Sequence, residues 1–429
     1  MTGTAYLDEL AWRGLLVQHT EGAAAALARG QMTGYCGFDP TAPSLHAGNL
    51  VPIMSLVHLQ RSGHRPMALV GGGTGMIGDP GGKSTERQLL TPEIVHANIA
   101  GISAQLARVL DFDGPRGALM RNNADWLCSL DLIGFLRDVG KHFTVNYMLQ
   151  KDSVNTRIES ESGISFTEFS YMLLQAYDFA ELYRRDGVTL QVGGSDQWGN
   201  ITAGTTLVRK LHGVEAHGAT VPLMTTASGA KFGKSETGAI WLDAERTSPY
   251  QFYQYWIGSD DRDVGRFLRT FTLLSRSEIE ALDELTAMAA GKREAQQVLA
   301  RTVTTMIHGE EAAQTAAEVS ALLFAKGDPS VLSANALAAL AREVPSAEVE
   351  PADSFDTLTL FHAAGLASSK GEARRLLQQG GLSVNGAKLS ADETTLPGDR
   401  LLRGAYLLLR KGARDYALIA IRGGSGTNH

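Results

Sequence analysis

The sequence predicts an α/β protein with a Rossmann-like parallel-sheet domain, followed by an α-helical domain and a small α+β domain. Over residues 1–230, short apolar runs such as RPMALVGGG (65–73) and GVTLQVGGS (187–195) alternate with helix-like segments such as LVPIMSLVHLQ (50–60). Such alternation is typical of parallel strands whose connecting helices cover the sheet. The length of 429 residues exceeds what one hydrophobic core usually organises, so two or three domains are expected.

The predicted domain boundaries follow changes of pattern along the chain. Helical periodicity dominates from about Ser248 to Ala341, where EAQQVLARTVTTMIHG places Val303, Met306 and Ile307 near one stripe. The next segment, EVPSAEVEPADS, carries two prolines and four acidic residues, which is typical of a linker. We therefore predict a Rossmann-like domain, a loop-and-helix domain, a linker and a small α+β domain, over residues 1–230, 231–342, 343–355 and 356–429.

Composition places the chain among globular proteins. It has 44% hydrophobic and 20% charged residues. No apolar run approaches the length of a membrane span, and the start, MTGTAYLDELAWRG, lacks the basic and apolar regions of a signal peptide. Cys36 and Cys128 form no metal-binding spacing and suit a reducing compartment. We expect a soluble cytoplasmic protein with no membrane partner.

The charge distribution sets the C-terminal segment apart. From Gly365 onward, ten basic and five acidic residues give a net charge of +5, whereas the whole chain carries −7. The overall acidity argues against a generally basic nucleic-acid binder, so no DNA partner is expected. A basic tail on an acidic body indicates a local contact with RNA.

A glycine-rich run, VGGGTGMIGDPGGKS (70–84), follows the predicted strand MALV and almost fits two phosphate-binding patterns. Gly73, Gly75 and Gly78 satisfy G-x-G-x-x-G, but the acidic residue expected about 20 positions later is missing from IVHANIAGIS. The ending Gly-Lys-Ser resembles a P-loop, but Ile77 stands where that motif needs glycine. Neither standard interpretation holds.

The segment YCGFDPTAPSLHAGN (35–49) leads into an apolar helix. The start of a helix offers free backbone N–H groups and a positive dipole end, which suit polyphosphate. His46 and Asn49 can add donors there, and Gly48 lets a bulky ligand approach closely. Taken alone, H-x-G-N is better explained by a surface histidine and a helix cap.

A second basic motif, KFGKSE (231–236), lies in a turn-like context. Lys231 and Lys234 flank Gly233, so a loop here could bring positive charge to a phosphate. Taken alone, the pattern is more often a solvated loop.

Two further segments combine apolar surroundings with a few polar side chains. In YMLLQAYDF, the side chains of Tyr171, Gln175 and Asp178 share one face of an otherwise apolar helix. Such a stripe either lines a site or pairs internally, with about equal odds, since buried polar groups are normally satisfied. Asp196 and Gln197 in GGSDQWGNI follow a predicted strand, where open parallel sheets bind ligands. An ordinary loop explains GGSDQWGNI about equally well.

Together, the motifs YCGFDPT, GMIGDP, YMLLQAYDF, GGSDQWGN and KFGKSE, in this order, resemble the bacterial tyrosyl-tRNA synthetases. HAGN and KFGKS are similar to the HIGH and KMSKS signatures of class I aminoacyl-tRNA synthetases, and each departs from its signature at two positions. The resemblance covers almost the whole chain. It implies a tyrosine–tRNA ligase that forms tyrosyl-adenylate and pyrophosphate from L-tyrosine and ATP, then transfers tyrosine to the terminal ribose of its tRNA.

The resemblance implies three sets of residues in the active site. The tyrosine-binding set is Tyr35, Asp79, Tyr171, Gln175, Asp178 and Gln197. The ATP-binding set is Asp39, Gly48, Asp196, Lys231, Lys234 and Ser235. The catalytic set is Thr41, His46, Asn49, Lys83, Arg87, Lys231 and Lys234. Magnesium is expected on the ATP phosphates, without a dedicated protein site. Asn122 and Asn123 are left outside the site.

The last segment resembles the S-four RNA-binding fold, which is named for a small-subunit ribosomal protein. LASSKGEARRLLQQGGLSVNGAKL would form its helix–turn–strand core. The basic residues expected to contact tRNA phosphates are Lys370, Arg374, Arg375, Lys388, Arg410 and Lys411. Taken alone, KGEARR is better explained by a helix with a solvated basic face.

Two rival functions remain open at this level. A tryptophanyl-tRNA synthetase shares the class I core, but Tyr35, Asp178 and the basic tail favour tyrosine. A non-catalytic RNA-binding protein with a synthetase-like body would not need the intact polar motifs. The resemblance also implies a homodimer, for which FLRDVGKHFTVNYMLQ (135–150) is a plausible interface. Core packing would explain this segment equally well.

Overall fold

The computed structural model describes residues 5–79, 89–158, 163–230, 232–235, 238–325 and 327–423. Three of the predicted site residues, Lys83, Arg87 and Lys231, lie outside the described residues. For Lys234 and Ser235 the backbone alone is described. The chain divides into two compact units, residues 1–247 with 255–299, and residues 248–254 with 300–429.

The first unit is built on a six-stranded sheet, as the alternation of apolar runs and helices predicts. Its strands are β1 (Gln18–His19), β2 (Thr33–Phe38), β3 (Arg65–Val70), β4 (Leu119–Asn122), β5 (Val188–Gly194) and β6 (His217–Val221). The order across the sheet is β1-β6-β5-β2-β3-β4. All neighbours pair in parallel except β1 with β6.

The strand order creates a switch point beside β2. The chain moves from β2 to β3 and β4 on one side, and then returns to β5 and β6 on the other side. Tyr35 of β2 pairs with Met67 of β3 and with Gln191 of β5, so it lies at the centre of the sheet. Ligands of open parallel sheets bind beyond the carboxyl ends of the strands at such a point.

Fourteen α-helices of the described residues lie between residues 5 and 308, one before β1, some between the strands of this sheet in sequence and the others after β6. They are α1 (Ala5–Trp12), α2 (Ala23–Arg29), α3 (Leu50–Arg61), α4 (Pro92–Val109), α5 (Ala124–Leu127), α6 (Leu132–Asp138), α7 (Val145–Leu149), α8 (Asp152–Ile158), α9 (Phe166–Asp186), α10 (Trp198–His212), α11 (Pro249–Ile257), α12 (Asp261–Phe271), α13 (Arg276–Ala289) and α14 (Glu294–His308). Helices α11 and α14 contribute residues to both units. A short hairpin, β7 (Lys234–Ser235) and β8 (Gly238–Ala239), follows β6.

Helix α9 has the local signals that fix both of its ends. The Ser165 side chain accepts a hydrogen bond from the backbone N–H of Glu168, which satisfies one of the unpaired donors of the first turn. At the other end Gly187 adopts φ 66°, a left-handed conformation that glycine reaches without strain. Because both ends are fixed, the face that carries Tyr171, Gln175 and Asp178 has a defined orientation.

The second unit is an α+β assembly. Its helices are α15 (Glu310–Ala325), α16 (Ala334–Glu343), α17 (Thr357–Ala363) and α18 (Lys370–Gln378). Its strands are β9 (Ser346–Val349), β10 (Ser354–Asp356), β11 (Leu382–Val384), β12 (Ala387–Lys388), β13 (Thr395–Pro397), β14 (Tyr406–Lys411) and β15 (Asp415–Ile421). Five strands form a sheet in the order β12-β11-β14-β15-β9, and β10 pairs with β13.

Apolar side chains cover both faces of the five-stranded sheet. Leu382, Leu407 and Leu409 pack in one cluster with residues of α17 and α18. Leu408 and Leu418, on the opposite face, pack in a second cluster with residues of α15 and α16. The alternation along β14 follows from the two-residue period of a strand.

The segment predicted as a linker, 343–355, differs from a simple connection. Within it, β9 pairs in parallel with β15 at the edge of the sheet. Pro345 and Pro351 lie just outside β9, where a missing N–H removes no ladder hydrogen bond. The acidic side chains that suggested a linker are compatible with an edge strand because such a strand is partly solvated.

Among the helices of the described residues, none has the length and apolar character needed to cross a lipid bilayer.

Candidate active site

A pocket of about 460 Å³ opens at the carboxyl ends of β2, β3 and β5. Its walls come from β2 and the turn after it, the HAGN segment, the glycine-rich run after β3, helix α9 and the end of β5. These are the segments that carry the sequence motifs, so the fold gathers into one cavity residues that are far apart in the chain.

Asp178 and Tyr35 lie in this pocket and are both buried. Burial raises the pKa of Asp178 to about 7, and the charge of Asp39 adds to the increase. Burial also holds the pKa of Tyr35 well above its usual value, and the charge of Asp178 is close enough to contribute. Within the described residues, the buried Tyr35 hydroxyl has no hydrogen-bond partner. A buried hydroxyl of this kind is costly unless a ligand pairs with it.

The carboxylate of Asp178 is oriented by two donors that were not predicted. Asn123 Nδ2 donates to Oδ2 at 2.9 Å, and Trp126 Nε1 donates to Oδ1 at 2.7 Å. Both hydrogen bonds lower the pKa of Asp178, but burial outweighs them. Asn123 was left outside the predicted site, and Trp126 was not considered. Their position in RNNADW, directly after β4, is the signal that could have identified them, because the carboxyl ends of parallel strands share one edge.

A second polar network joins α9 to the turn after β2. The Tyr171 hydroxyl donates to Asp39 Oδ2 at 2.7 Å, and the Thr74 hydroxyl donates to Asp39 Oδ1 at 2.8 Å. Asn123 Nδ2 also donates to Thr74 Oγ1 at 2.9 Å, so this network is continuous with the donors of Asp178. Burial and the charge of Asp39 keep the pKa of Tyr171 well above its usual value, so the hydroxyl remains a donor.

A third network links the ends of β3 and β5 to α9. Gln197 Nε2 donates to Asp79 Oδ2 at 2.6 Å. Asn200 Nδ2 donates to Gln175 Oε1 at 2.9 Å and to Gln197 Oε1 at 3.2 Å. Four of the predicted tyrosine-binding side chains, Asp79, Gln175, Gln197 and Tyr171, therefore line one wall of the pocket. Asn200 is a further residue that the sequence did not single out.

The glycines of the run after β3 provide space for neighbouring protein groups. A methyl group on Gly71 would lie 2.0 Å from Asp39 Oδ1, and one on Gly72 would lie 2.2 Å from Asn122 Oδ1. A methyl group on Gly75 would meet the Pro40 ring at 2.9 Å. Gly71 and Gly75 thus let the turn after β2 pack against the described part of the run, and Gly72 leaves room for Asn122 of β4.

The HAGN segment forms a short turn of 3₁₀ helix before α3. His46 Nδ1 accepts from the Gly48 N–H, and the His46 N–H donates to Asn49 Oδ1, both at 3.0 Å. Because Nδ1 is an acceptor, the neutral imidazole carries its proton on Nε2. Likewise Asn49 keeps its Nδ2 group as a donor. His46, expected as a surface histidine, is therefore the N-cap of this turn, whereas Asn49, expected as the helix cap, completes the capping box and makes no side-chain cap bond to α3. Both residues also line the pocket.

The KFGKS segment lies directly against HAGN. A methyl group on Gly233 would be 2.7 Å from the Gly48 nitrogen, and Gly233 has φ 81°. The Phe232 ring is buried and stacks on Phe271, with the ring centroids 4.9 Å apart. The Tyr255 hydroxyl accepts from the Gly233 N–H at 2.9 Å. Close backbone contact thus joins the two basic motifs, which are about 185 residues apart in sequence.

Carboxylates dominate the electrostatics of the pocket. Partial burial and the charge of Asp79 raise the pKa of Asp196. Burial raises the pKa of the Cys36 thiol, which also lines the pocket, to about 12. Since like charges disfavour ionisation, a cationic group in the pocket would relieve this repulsion. The arrangement therefore suits a ligand with an ammonium group.

The basic residues predicted to contact tRNA do not form one surface. Lys370, Arg374 and Arg375 are exposed on α18. Lys411 Nζ lies 3.3 Å from Glu372 Oε1 of α18, on the sheet face that α18 covers. The neighbouring Arg410 lies on the other face, with its guanidinium 5.9 Å from the centroid of the Tyr416 ring.

Lys388 belongs to the same face of the sheet as Arg410. Ser383 of β11 pairs with Lys388 on one side and with Arg410 on the other, and directly paired residues project from the same face. Lys388 and Arg410 thus start from the same face of the sheet, but the Lys388 ammonium lies near the end of α18, since a methyl group on Gly380 would be 3.0 Å from Lys388 Nζ.

Two protein families match consecutive parts of the chain. The family of class I tRNA synthetases (W and Y) matches residues 27–325. The C-terminal domain family described as tyrosine–tRNA ligase SYY-like matches residues 336–419.

Individual relatives agree over nearly the whole length. The tyrosine–tRNA ligase of Anaeromyxobacter dehalogenans is 54% identical over 419 residues, which are 97% of this chain and 99% of that protein. The tyrosine–tRNA ligase of Roseiflexus castenholzii is 52% identical, over 97% of this chain and 100% of the relative. Among solved structures, a C-terminally truncated mitochondrial tyrosyl-tRNA synthetase of Aspergillus nidulans is 31% identical with a TM-score of 0.67, and the match covers 75% of this chain and 94% of that one.

Proposed function

The chain belongs to the bacterial tyrosine–tRNA ligases of the class I synthetase family, and from this premise we propose which residues carry each step. The enzyme activates L-tyrosine with ATP, giving tyrosyl-adenylate and pyrophosphate, and then transfers tyrosine to the terminal ribose of tRNA. Of the two rival functions, a tryptophan-specific enzyme and a non-catalytic RNA-binding protein, neither agrees with this membership. The roles of individual residues and the dimeric state are the subject of the proposal.

Asp178 and Tyr35 select the phenol of the substrate. The observation that carries this assignment is the buried, unpaired Tyr35 hydroxyl beside the oriented Asp178 carboxylate, within the described part of the pocket. A substrate phenol can donate to Asp178 and accept from Tyr35, which satisfies both groups. Phenylalanine leaves the Tyr35 hydroxyl without a partner and gives the Asp178 carboxylate no substrate donor in a desolvated site, and this enzyme family is an established example of such selectivity without editing.

Tyr171, Gln175 and Asp79 hold the substrate ammonium. The support is their convergence on one wall of the pocket, where Asp79 is also bound to Gln197. Asp79 supplies charge, whereas the Tyr171 oxygen and the Gln175 carbonyl can supply neutral acceptors. Gln197 then lies near the substrate carbonyl, at the end of β5.

The start of α3 binds ATP. His46 and Asn49 line the pocket with an imidazole and an amide that can donate hydrogen bonds, and Gly48 lets the His46 ring and the Gly233 backbone pack closely at this point. We assign Thr41 and His46 to the β- and γ-phosphates and Asn49 to the ribose. Asp39 contributes to the ATP site through its network with Tyr171 and Thr74. Asp196 takes ribose hydroxyls at the other side of the pocket.

Activation joins an oxygen of the tyrosine carboxylate to the α-phosphorus while the bond to pyrophosphate breaks. Catalysis requires orientation and positive charge where the leaving group forms. We assign this charge and polarity to Lys231, Lys234 and Ser235 of the KFGKS segment, and to Lys83 and Arg87 of the GGKSTER segment. The backbone contact between Gly233 and Gly48 supports the first group, since it brings the KFGKS segment to the phosphate side.

Magnesium accompanies ATP in this scheme. It keeps most of its waters and requires few protein ligands, so we place it on the phosphates. The donors around HAGN are an imidazole, an amide and a hydroxyl, which suit phosphate oxygens better than they suit a hard cation.

The C-terminal part of the chain binds tRNA. We propose that residues 356–429 adopt the S-four type of RNA-binding fold, and that residues 231–342 combine the signature loop with the helical platform for the anticodon. Lys370, Arg374 and Arg375 form the exposed phosphate-binding surface, supported by their position on α18. Arg410 and the exposed Lys388 on one face of the sheet, and Lys411 on the other, supply further phosphate contacts.

The enzyme functions as a homodimer in the cytoplasm. Helices α6 and α7 present large apolar side chains to solvent, among them Leu132 (69% exposed), Ile133 (70%) and Val145 (60%). An exposed apolar surface of this kind marks an interaction site, and a second copy of the chain is the proposed occupant. Ile133→Asp should convert the dimer to a monomer in analytical ultracentrifugation, whereas an unchanged mass would refute this interface.

Amino-acid-dependent exchange of pyrophosphate into ATP tests the assignment of substrate. Tyrosine should support exchange, and tryptophan and phenylalanine should not. Exchange with tryptophan would overturn the proposed pocket, and absence of exchange with any amino acid would overturn the catalytic roles.

A further inference from the structure

Arg185 lies over the indole ring of Trp126. Its guanidinium carbon is 5.1 Å from the ring centroid, within the range in which a cation interacts with the face of an aromatic ring. Arg185 belongs to the last turn of α9, and Trp126 belongs to α5, directly after β4. The contact therefore connects two elements that meet at the tyrosine pocket.

Trp126 links this contact to the specificity carboxylate. Its buried indole donates from Nε1 to Asp178 Oδ1 at 2.7 Å. Rotation or displacement of the indole would remove one of the two donors that orient Asp178. A cation on the ring face withdraws electron density from the indole, which makes its N–H a stronger donor.

An anion fixes the position of Arg185. Its Nε donates to Glu181 Oε1 at 2.5 Å, and Glu181 is buried one turn earlier on α9. Arg184 binds the same carboxylate through its guanidinium, at 2.6 Å, but belongs to a more exposed position. These hydrogen bonds lower the pKa of Glu181, so it remains charged near neutrality. The guanidinium of Arg185 thus has a defined place over the indole.

We propose that Arg185 is a positioning residue for tyrosine selection, which acts through Trp126 on Asp178. Its cation holds the indole in place and strengthens the N–H donor that orients the carboxylate toward the substrate phenol. The proposal rests on the role of Asp178 given under the proposed function. Arg185 itself touches neither substrate nor ATP in this scheme.

Other charged and titratable groups also act on Asp178. Tyr35 approaches from β2, Asp39 from the turn after β2, and Tyr171 and Tyr177 from α9 itself. Arg185→Met leaves all of these in place. A change in the pH dependence of that variant therefore reports the cation over Trp126.

The test compares full-length variants by pyrophosphate exchange at saturating ATP, with tyrosine varied between pH 6 and 9. Arg185→Met keeps the aliphatic stem but removes the charge. A cation–π contact at a partly exposed site changes an equilibrium constant by a factor of about two to five. We expect KM for tyrosine to rise by that factor at neutral pH, with kcat unchanged. KM for ATP, measured in a second series at saturating tyrosine, should also be unchanged. The acid limb of the pH profile of kcat/KM for tyrosine should shift to higher pH, by roughly 0.3 to 0.7 pH units.

Two variants are matched controls. Arg184→Met removes a charge from the same carboxylate without touching the indole, and it should behave as the wild type. Arg185→Lys keeps a cation and should restore most of the tyrosine affinity. Equal effects of Arg184→Met and Arg185→Met on both KM and the acid limb would overturn the proposal, because they would show a nonspecific loss of charge.

A double-mutant cycle tests whether Arg185 acts on Asp178 through Trp126. Trp126→Phe removes the N–H donor, so adding Arg185→Met should cause little further rise in KM for tyrosine. Independent, multiplying effects would overturn the route through Trp126. Asp178→Asn distinguishes a failure of the role proposed for Asp178 from a failure of the role proposed for Arg185. If it leaves KM for tyrosine unchanged, the role of Asp178 is wrong. If it impairs tyrosine use while Arg185→Met does not, only the present proposal fails.

Discussion

Replacing Tyr35 by Phe should stabilise the ligand-free enzyme while it weakens tyrosine binding. The Tyr35 side chain is 1% exposed, and its hydroxyl has no partner among the described residues. The ring packs edge-on against Phe179, with centroids 5.2 Å apart, and phenylalanine can keep that contact. Removing an unpaired buried polar group recovers part of its desolvation cost, which is about 1–3 kcal/mol. We expect a gain of about 1 kcal/mol, or roughly 1–2 °C in the melting temperature for a unit of this size.

The effect on the substrate has the opposite sign. The hydroxyl that is unpaired in the free enzyme is the group that donates to the substrate phenol in the proposed complex. Losing one neutral hydrogen bond costs about 0.5–1.5 kcal/mol, so KM for tyrosine should rise by about two- to thirteenfold. Phenylalanine gains from the loss of an unpaired partner, so discrimination between the two amino acids should fall by at least that factor. Pyrophosphate exchange with each amino acid measures both quantities.

Tyr6 provides the matched control. It is also a buried tyrosine of the first unit, but its hydroxyl is 2.8 Å from Ser55 Oγ. Tyr6→Phe leaves Ser55 unpaired and should destabilise the protein by about 1–3 kcal/mol, without affecting KM for tyrosine. The reasoning is refuted if Tyr35→Phe is less stable than the wild type and retains its KM for tyrosine. Thermal unfolding with and without saturating tyrosine distinguishes these cases.

Three further predictions concern charge and backbone. Because the folded pKa of Asp178 is about 7 and its ordinary value is 3.8, this group should reduce folding stability progressively as pH rises from about 4 to about 7. The kcat/KM for tyrosine should rise over the upper part of that range, as the accepting carboxylate forms, and a flat profile would argue against its role. Gly233→Ala places a methyl group 2.7 Å from the Gly48 nitrogen at φ 81°, so it should lower the activation rate at least tenfold, with little change in tyrosine affinity measured by equilibrium dialysis. Equal losses in both quantities would contradict the separation of the two sites. Replacing Arg374 and Arg375 by Gln should weaken tRNA binding and make the slope of log K against log salt shallower by about 1–2. An unchanged salt slope in filter binding would exclude these residues from the RNA surface.

The order of the motifs was sufficient to predict the location of the pocket. The motifs YCGFDPT, GMIGDP and GGSDQWGN lie at or after the ends of short apolar runs that form strands, and a parallel sheet brings the carboxyl ends of its strands to one edge. The sheet order and the shared pocket therefore agree with the sequence pattern. The donors of Asp178 were missed because they act across 52 and 55 residues of sequence. Periodicity describes one element at a time and does not indicate which side chains of two elements meet.

The glycine-rich run shows a second limit of sequence reasoning. Its spacing suggested a ligand, but three of its glycines accommodate Asp39, Asn122 and Pro40. In contrast, the separation of Arg410 from Lys411 was predictable, since neighbouring residues of a strand face opposite sides. The sequence pattern does not indicate which groups contact these glycines and basic side chains, because those contacts depend on the tertiary structure.

The distribution of charge in the pocket explains how two substrates can be oriented against each other. The carboxylates of Asp178, Asp39 and Asp79 reach the cavity from α9, from the turn after β2 and from the segment after β3. Burial, with a smaller contribution from neighbouring acidic charge, raises the pKa values of Asp178 and Asp196. The start of α3 contributes neutral donors and a positive helix end instead. A tyrosine zwitterion should therefore place its ammonium among the acids and direct its carboxylate toward the α3 end. Polyphosphate is repelled by the same acids and favours the same end. The two reacting groups, carboxylate and α-phosphate, are thereby brought together by electrostatics before any side chain acts on the transition state.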